Sequence, residues 1–175
     1  MNRDLTRLEP ETYVRATNFL TDCREAGLDV LVTCCVRSFA EQADLYAIGR
    51  TKRGNPCSCG QKRNPVGTCV KHPLGLRVTN AGAGRSWHNW GRALDVVPLR
   101  YGKPVWGTSG DGIDDDPSDD LTDDLELWQR VAAIGKSCGL EWGGDWVSFR
   151  EFPHFQFTGG LSLSGLLAAH PRGIY

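Results

Sequence analysis

Apolar positions along the chain follow two rhythms, one of helical period and one of extended period, and the elements follow from where each begins and stops. Pro10 suits a first helical turn, and Tyr13, Ala16, Leu20 and Cys23 then recur at helical spacing until Gly27. Leu28 to Val36 is compact, apolar and rich in β-branched residues, the pattern of a buried strand. Ser38-Phe39-Ala40-Glu41 has the spacing of a capping box and predicts a second helix to about Ile48, closed by Gly49. Arg37 therefore falls at a strand-to-helix junction, where a rigid scaffold on both sides suits a working side chain; a surface ion pair is the plainer alternative.

Periodicity vanishes between residues 50 and 75, where Arg, Lys, Gly, Pro, Asn and Cys dominate, so a loop insertion is expected, its Cys-rich part at 55–75. Arg77 to Asn80 has the look of a short strand, and Ala81 to Gly84 that of a flexible turn. Val96 to Leu99 is apolar, and Tyr101-Gly102-Lys103-Pro104 follows as a hairpin-like turn. Leu125, Trp128, Val131 and Ala132 form the stripe of a third helix, capped by Thr122 and ended by Gly139. Phe152, His154 and Gln156 alternate with Pro153, Phe155 and Phe157, the period of a strand. Residues 158–175 are too few for a domain and predict a packed tail with a short helix.

Composition narrows the possibilities. A chain of 175 residues is expected to form one domain, 1–175, large enough for a real core. A net charge of -1 argues against a nucleic-acid partner. No apolar run approaches the roughly 20 residues that span a bilayer, so no membrane insertion is expected. Met1 to Pro10 lacks an apolar signal segment, which points to the cytoplasm. Eight aspartates between Asp111 and Asp124 make a solvated acidic loop, without the spacing of a calcium-binding hand.

The seven cysteines divide into two groups. Cys23, Cys34, Cys35 and Cys138 lie in apolar stretches and fit small buried hydrophobes. Cys57, Cys59, Cys69 and His72 form a C-x-C…C-x-x-H pattern that can close a second, structural zinc site. A disulfide between two of these cysteines, or reduced thiols, fits the same residues.

The chemistry concentrates in two distant stretches, Ser86 to Asp95 and Glu151 to Gln156. His88, Asp95 and His154 offer two imidazoles and a carboxylate, a ligand set that leaves a zinc ion an open position for water. Seven residues of straight strand would separate His88 from Asp95 by over about 20 Å, so the chain must turn between them, and Asn89-Trp90-Gly91 supplies the turn. Glu151, three residues before His154, suits a general base, with Glu141 and Asp145 as rivals. Arg37 can stabilise an oxyanion.

Ser86-x-His88-x6-Asp95 with Glu151-x-x-His154 resembles the zinc D,D-carboxypeptidase and L-alanyl-D-glutamate endopeptidase family of bacterial cell-wall peptidases, which includes phage endolysins. Arg37-Ser38, Gln42, Val78 to Ala81 and Glu141 to Trp146 extend the likeness from about Leu8 to Gly160. The resemblance implies zinc on His88, Asp95 and His154, Glu151 as base, Arg37 as the carbonyl contact, and Ser86 in the substrate pocket. It implies a small α+β domain, a central antiparallel sheet flanked by helices. The implied substrate is a peptidoglycan stem peptide, cut between L-Ala and D-Glu by a monomer that waits in the cytoplasm for holin-dependent release. A D-Ala-D-Ala dipeptidase or carboxypeptidase is the competing enzyme. A zinc-bearing wall-binding module, as the related fold of the hedgehog signalling domain illustrates, is the alternative without turnover.

Overall fold

The structure is a computed structural model that describes residues 2–56, 69–110 and 123–174. Four α-helices and a five-stranded antiparallel sheet give an α+β fold among these residues. They group into two compact units, residues 1–36 with 91–160 and residues 37–90 with 161–175.

The first unit holds the whole sheet. Its strands are β1 (Val30–Cys34), β2 (Ala93–Arg100), β3 (Lys103–Pro104), β4 (Glu141–Trp142) and β5 (His154–Gln156), in the order β1-β2-β5-β4 with β3 on the end of β2. The β2–β3 hairpin turns through Tyr101 and Gly102, both at positive φ, the pair of conformations that matches strand twist. Helix α1 (Pro10–Glu25) begins at a Glu9 cap, whose carboxylate accepts from the Thr12 N–H at 3.2 Å. Helix α3 (Asp124–Ser137) is capped by Asp123, not by Thr122: the Asp123 carboxylate accepts from the Glu126 N–H at 2.7 Å. Thr122 and residues 111–121 of the acidic loop lie outside the described residues.

Helix α1 presents a slightly different face from the expected one. Thr12, Ala16, Phe19 and Cys23 are buried, while Leu20 is half-buried and Tyr13 is exposed. Phe19 decides the rotation, because its ring packs on Phe155 of β5 with centroids 4.8 Å apart. The core continues through Leu94, Val96, Val97, Trp128, Val131 and Trp142. Fully burying an apolar side chain of this size is worth about 1.5–3 kcal/mol, so this layer holds β2 and β5 rigidly beside each other.

The second unit contains α2 (Phe39–Ala47), a 3-10 turn (Trp87–Trp90) and α4 (Leu163–Ala169), the short helix of the tail. The Ser38–Glu41 capping box forms in both directions. Residues 77–80 are not a strand. The Thr79 carbonyl accepts from Arg50 at 3.0 Å and the Thr79 hydroxyl from the Ala81 N–H at 3.1 Å, so side chains satisfy groups that a ladder would use. Among the described residues, no helix is long and apolar enough to cross a membrane.

Candidate functional site

Strand register builds the site in the first unit. Asp95 lies directly across from His154, Ala93 from Gln156, and Gln156 from Glu141. Residues paired across an antiparallel ladder project to the same face, so all five share the face opposite Leu94 and Phe155. Asp95 Oδ1 is 3.3 Å from His154 Nδ1. Glu151 Oε2 is 4.0 Å from the same nitrogen. His154 is buried at its other end by Gln156, whose Oε1 is 3.0 Å from Nε2. The Gln156 amide donates to Glu141 at 2.8 Å, and the Thr158 hydroxyl donates to the same carboxylate at 2.7 Å.

Burial alone would push the His154 pKa down, but the hydrogen bond and charge of Asp95, the bond to Gln156 and the charge of Glu151 together raise it. A nitrogen facing two carboxylates needs a positive partner, either a proton or a metal ion. Two donors each about 2.0–2.1 Å from a tetrahedral zinc lie about 3.3–3.4 Å apart. The Asp95–His154 separation of 3.3 Å matches that span, and imidazole with carboxylate is a donor set zinc accepts. These residues fit the metal.

Glu151 is held by backbone bonds on both sides. Its N–H donates to the Gly143 carbonyl at 3.1 Å, and its carbonyl accepts from the His154 N–H at 3.0 Å. Gly143 opens a 3-10 turn (Gly143–Asp145) that lies so close to this segment that an added Cβ would meet the Glu151 carbonyl oxygen at 2.6 Å and the His154 Cβ at 3.1 Å. Gly143→Ala is therefore expected to destabilise the protein by about 1–3 kcal/mol, measured by denaturant unfolding, and to weaken metal binding with it. An alanine variant with wild-type stability and zinc affinity would remove this close approach from the account.

The rival carboxylates are otherwise engaged. Asp145 pairs with Lys136 at 3.0 Å on an exposed surface, and Glu141 is occupied by Gln156 and Thr158. The Trp146 ring lies 5.2 Å from that of His154, a contact the alternation pattern did not show.

Cys34 also sits differently from a simple core thiol. The β1–β2 register shifts between Val32 and Cys34, a bulge at Thr33 that sets Cys34 opposite Asp95. Its sulfur and the Asp95 carboxylate come within 4.8 Å. Cys23 and Cys35 do behave as buried hydrophobes, each with a thiol pKa pushed up by burial to about 12. Cys138 is half-buried and donates to Asp22 at 3.3 Å.

The second unit carries Arg37, Ser86 and His88. Ser86 and His88 are buried, and the Arg37 N–H donates to the His88 carbonyl at 3.1 Å. Asn89, expected only to permit a turn, organises this segment. Its amide donates to the carbonyls of Arg37 (2.9 Å) and Ser38 (3.3 Å), and its oxygen accepts from the Gly84 N–H at 3.0 Å. The turn between His88 and Asp95 is the 3-10 turn followed by Gly91, whose φ of 64 brings the chain into β2. In the insertion, Cys69 is buried with its sulfur 3.8 Å from His72 Nδ1, while Cys57 and Cys59 lie outside the described residues.

Residues 79–157, which include His88, Asp95, Glu151 and His154, match the peptidase M15 family model described as D-alanyl-D-alanine carboxypeptidase. This stretch of the chain is similar to that peptidase family. Its relatives include the peptidoglycan L-alanyl-D-glutamate endopeptidase CwlK of Bacillus subtilis (strain 168), 36% identical over 131 residues, which are 74% of this chain and 61% of that protein. Another is the L-alanyl-D-glutamate peptidase of Listeria phage A118, 38% identical over 83 residues, 45% of this chain and 24% of that protein. The chain thus spans less than two thirds of the length of either relative. The crystal structure of the Serratia marcescens L-Ala D-Glu endopeptidase ChiX matches with a TM-score of 0.52 and 21% identity, over 88% of this chain and 83% of that one, and shows a shared fold.

Proposed function

We propose that the protein is a zinc peptidase that hydrolyses the L-Ala–D-Glu bond of the peptidoglycan stem peptide. The observation that carries this reading is the Asp95–His154 pair at zinc-ligand spacing, with Glu151 Oε2 4.0 Å from the same imidazole nitrogen. The names of the Bacillus and Listeria phage relatives support the bond. His88, Asp95 and His154 would hold the ion. When bound, zinc supplies Lewis-acid polarisation and lowers the pKa of a water from about 15.7 toward 7.

The chain's own residues do the rest. Glu151 takes the proton of the attacking water on its carboxylate and returns it to the leaving amine as the C–N bond breaks. Arg37 donates to the substrate carbonyl oxygen as negative charge develops there. Ser86 lines the pocket. The substrate is the stem peptide, and the working unit is a monomer.

The phage relative supports a role as an endolysin, held in the cytoplasm until a holin opens the membrane. A second zinc on Cys57, Cys59, Cys69 and His72 is a separate proposal, favoured by the Cys69–His72 approach. The description of the family model favours a competing reading, D-Ala-D-Ala carboxypeptidase. Digesting purified peptidoglycan and identifying the new termini by mass spectrometry separates the two. A new D-Glu amine is expected; free D-Ala without that amine would overturn the L-Ala–D-Glu assignment.

A further inference from the structure

Between Trp146 and Glu151 the chain makes a small loop whose two ends are pinned to one atom. The N–H groups of Trp146 (3.3 Å) and Glu151 (3.1 Å) both donate to the Gly143 carbonyl. The loop passes through Phe149 at φ 56, a left-handed conformation that a bulky residue rarely adopts. Arg150 then folds back, and its Nε donates to the Trp146 carbonyl at 3.3 Å. Strained backbone of this kind persists where the surroundings hold it, and it clusters at working sites. Here the loop joins two residues of the candidate site: Trp146, whose ring lies 5.2 Å from that of His154, and Glu151. The bond to Trp146 uses Nε alone. Arg150 is exposed, and among the described residues no acid pairs with its two terminal nitrogens.

What stands beside this guanidinium follows from the base. Glu151 must come within about 2.6–3.2 Å of the nitrogen it protonates. In the stem peptide that nitrogen belongs to D-Glu, whose chain continues through its side-chain carboxyl. A free carboxylate therefore stands on the same carbon as the leaving nitrogen. The planar fork of an arginine matches a carboxylate through two parallel hydrogen bonds. We propose that Arg150 is a substrate-binding residue that takes this carboxylate, and so favours stem peptides whose D-Glu is not amidated. The inference rests on the reading of Glu151 as the base. A terminal D-Ala carries a carboxylate at the same place, so the recognised chemistry is common to both enzyme readings, and the test separates them.

The test uses the full chain with two synthetic stem peptides, L-Ala–D-Glu–L-Lys–D-Ala–D-Ala, identical except that the α-carboxyl of D-Glu is free in one and amidated in the other. Wild type is expected to cut the free acid with a kcat/KM about 3–30-fold above that for the amide, the difference lying in KM rather than kcat. Arg150→Gln keeps a side-chain donor for the Trp146 carbonyl but carries no charge. It is expected to cut the two peptides within about two-fold of each other.

Equal kcat/KM for the two peptides in wild type would overturn the proposal, whatever the variant does. So would Arg150→Gln that keeps the wild-type preference. Mass spectrometry of the same reactions identifies the bond that is cut. If the cut falls only before the terminal D-Ala, the L-Ala–D-Glu reading fails. The same comparison, made with the last carboxyl free and amidated, then decides for Arg150. If neither bond is cut, both readings fall.

Discussion

Glu151→Ala is expected to lower peptidoglycan hydrolysis by about 10²–10⁴-fold, the usual loss for a general base, while zinc content stays at the wild-type level. The separation of the two effects follows from geometry. Glu151 Oε2 stands 4.0 Å from His154 Nδ1, farther than the 3.3 Å of Asp95 Oδ1. Its side chain is one-third exposed, open enough to exchange a proton with water. Backbone bonds to Gly143 and His154 hold the residue in place, so removing its carboxylate leaves the scaffold intact. Hydrolysis is measured as new amino termini released from purified peptidoglycan. Full activity in this variant would take Glu151 out of the mechanism.

Asp95→Asn is expected to abolish stoichiometric zinc binding and to change how stability depends on pH. In the proposed site Asp95 would contribute a metal oxygen, and its hydrogen bond and charge do most to raise the His154 pKa against burial. A histidine raised above its ordinary value of 6.5 adds stability that is fully present below that value. The contribution is lost as pH rises through the higher folded-state value. The metal-free wild type should therefore lose thermal stability as pH climbs through the window above 6.5, and Asp95→Asn should lose much less. With zinc the dependence reverses, because the metal needs the unprotonated nitrogen and binds more weakly as pH falls. Thermal unfolding across a pH series, with chelator and with zinc, measures both. Parallel curves for wild type and Asp95→Asn would rule out Asp95 as the source of the shift.

Much of this arrangement was legible in the sequence because it depends on local rhythm. The alternation of Phe152, His154 and Gln156 against Phe155 placed the histidine and the core ring on opposite faces, and β5 has that disposition. The capping box at Ser38 needed only four residues to recognise, and it forms. The need for a turn between His88 and Asp95 came from reach alone, and the 3-10 turn with Gly91 supplies it.

What was not legible depends on partners distant in the chain. The bulge at Thr33 exists through pairing with β2, where the Thr33 hydroxyl donates to the Asp95 carbonyl at 3.1 Å; no property of residues 30–34 taken alone requires it. The rotation of α1 toward Phe19 answers to Phe155, more than a hundred residues away. Arg77 to Asn80 has strand-like composition, yet Arg50 takes the Thr79 carbonyl that a neighbouring strand would have used. Gln156 and Asn89 looked like ordinary polar positions because what each does is set by both ends of its amide, and each end binds a residue from a different segment.

The central claim is that His88, Asp95 and His154 bind one zinc ion together, and the metal content of purified wild type beside His88→Ala tests it most directly. The account predicts that the variant holds one zinc fewer per chain than wild type, whether wild type holds one or, with the cysteine site filled, two. Equal zinc content in the two proteins would contradict it.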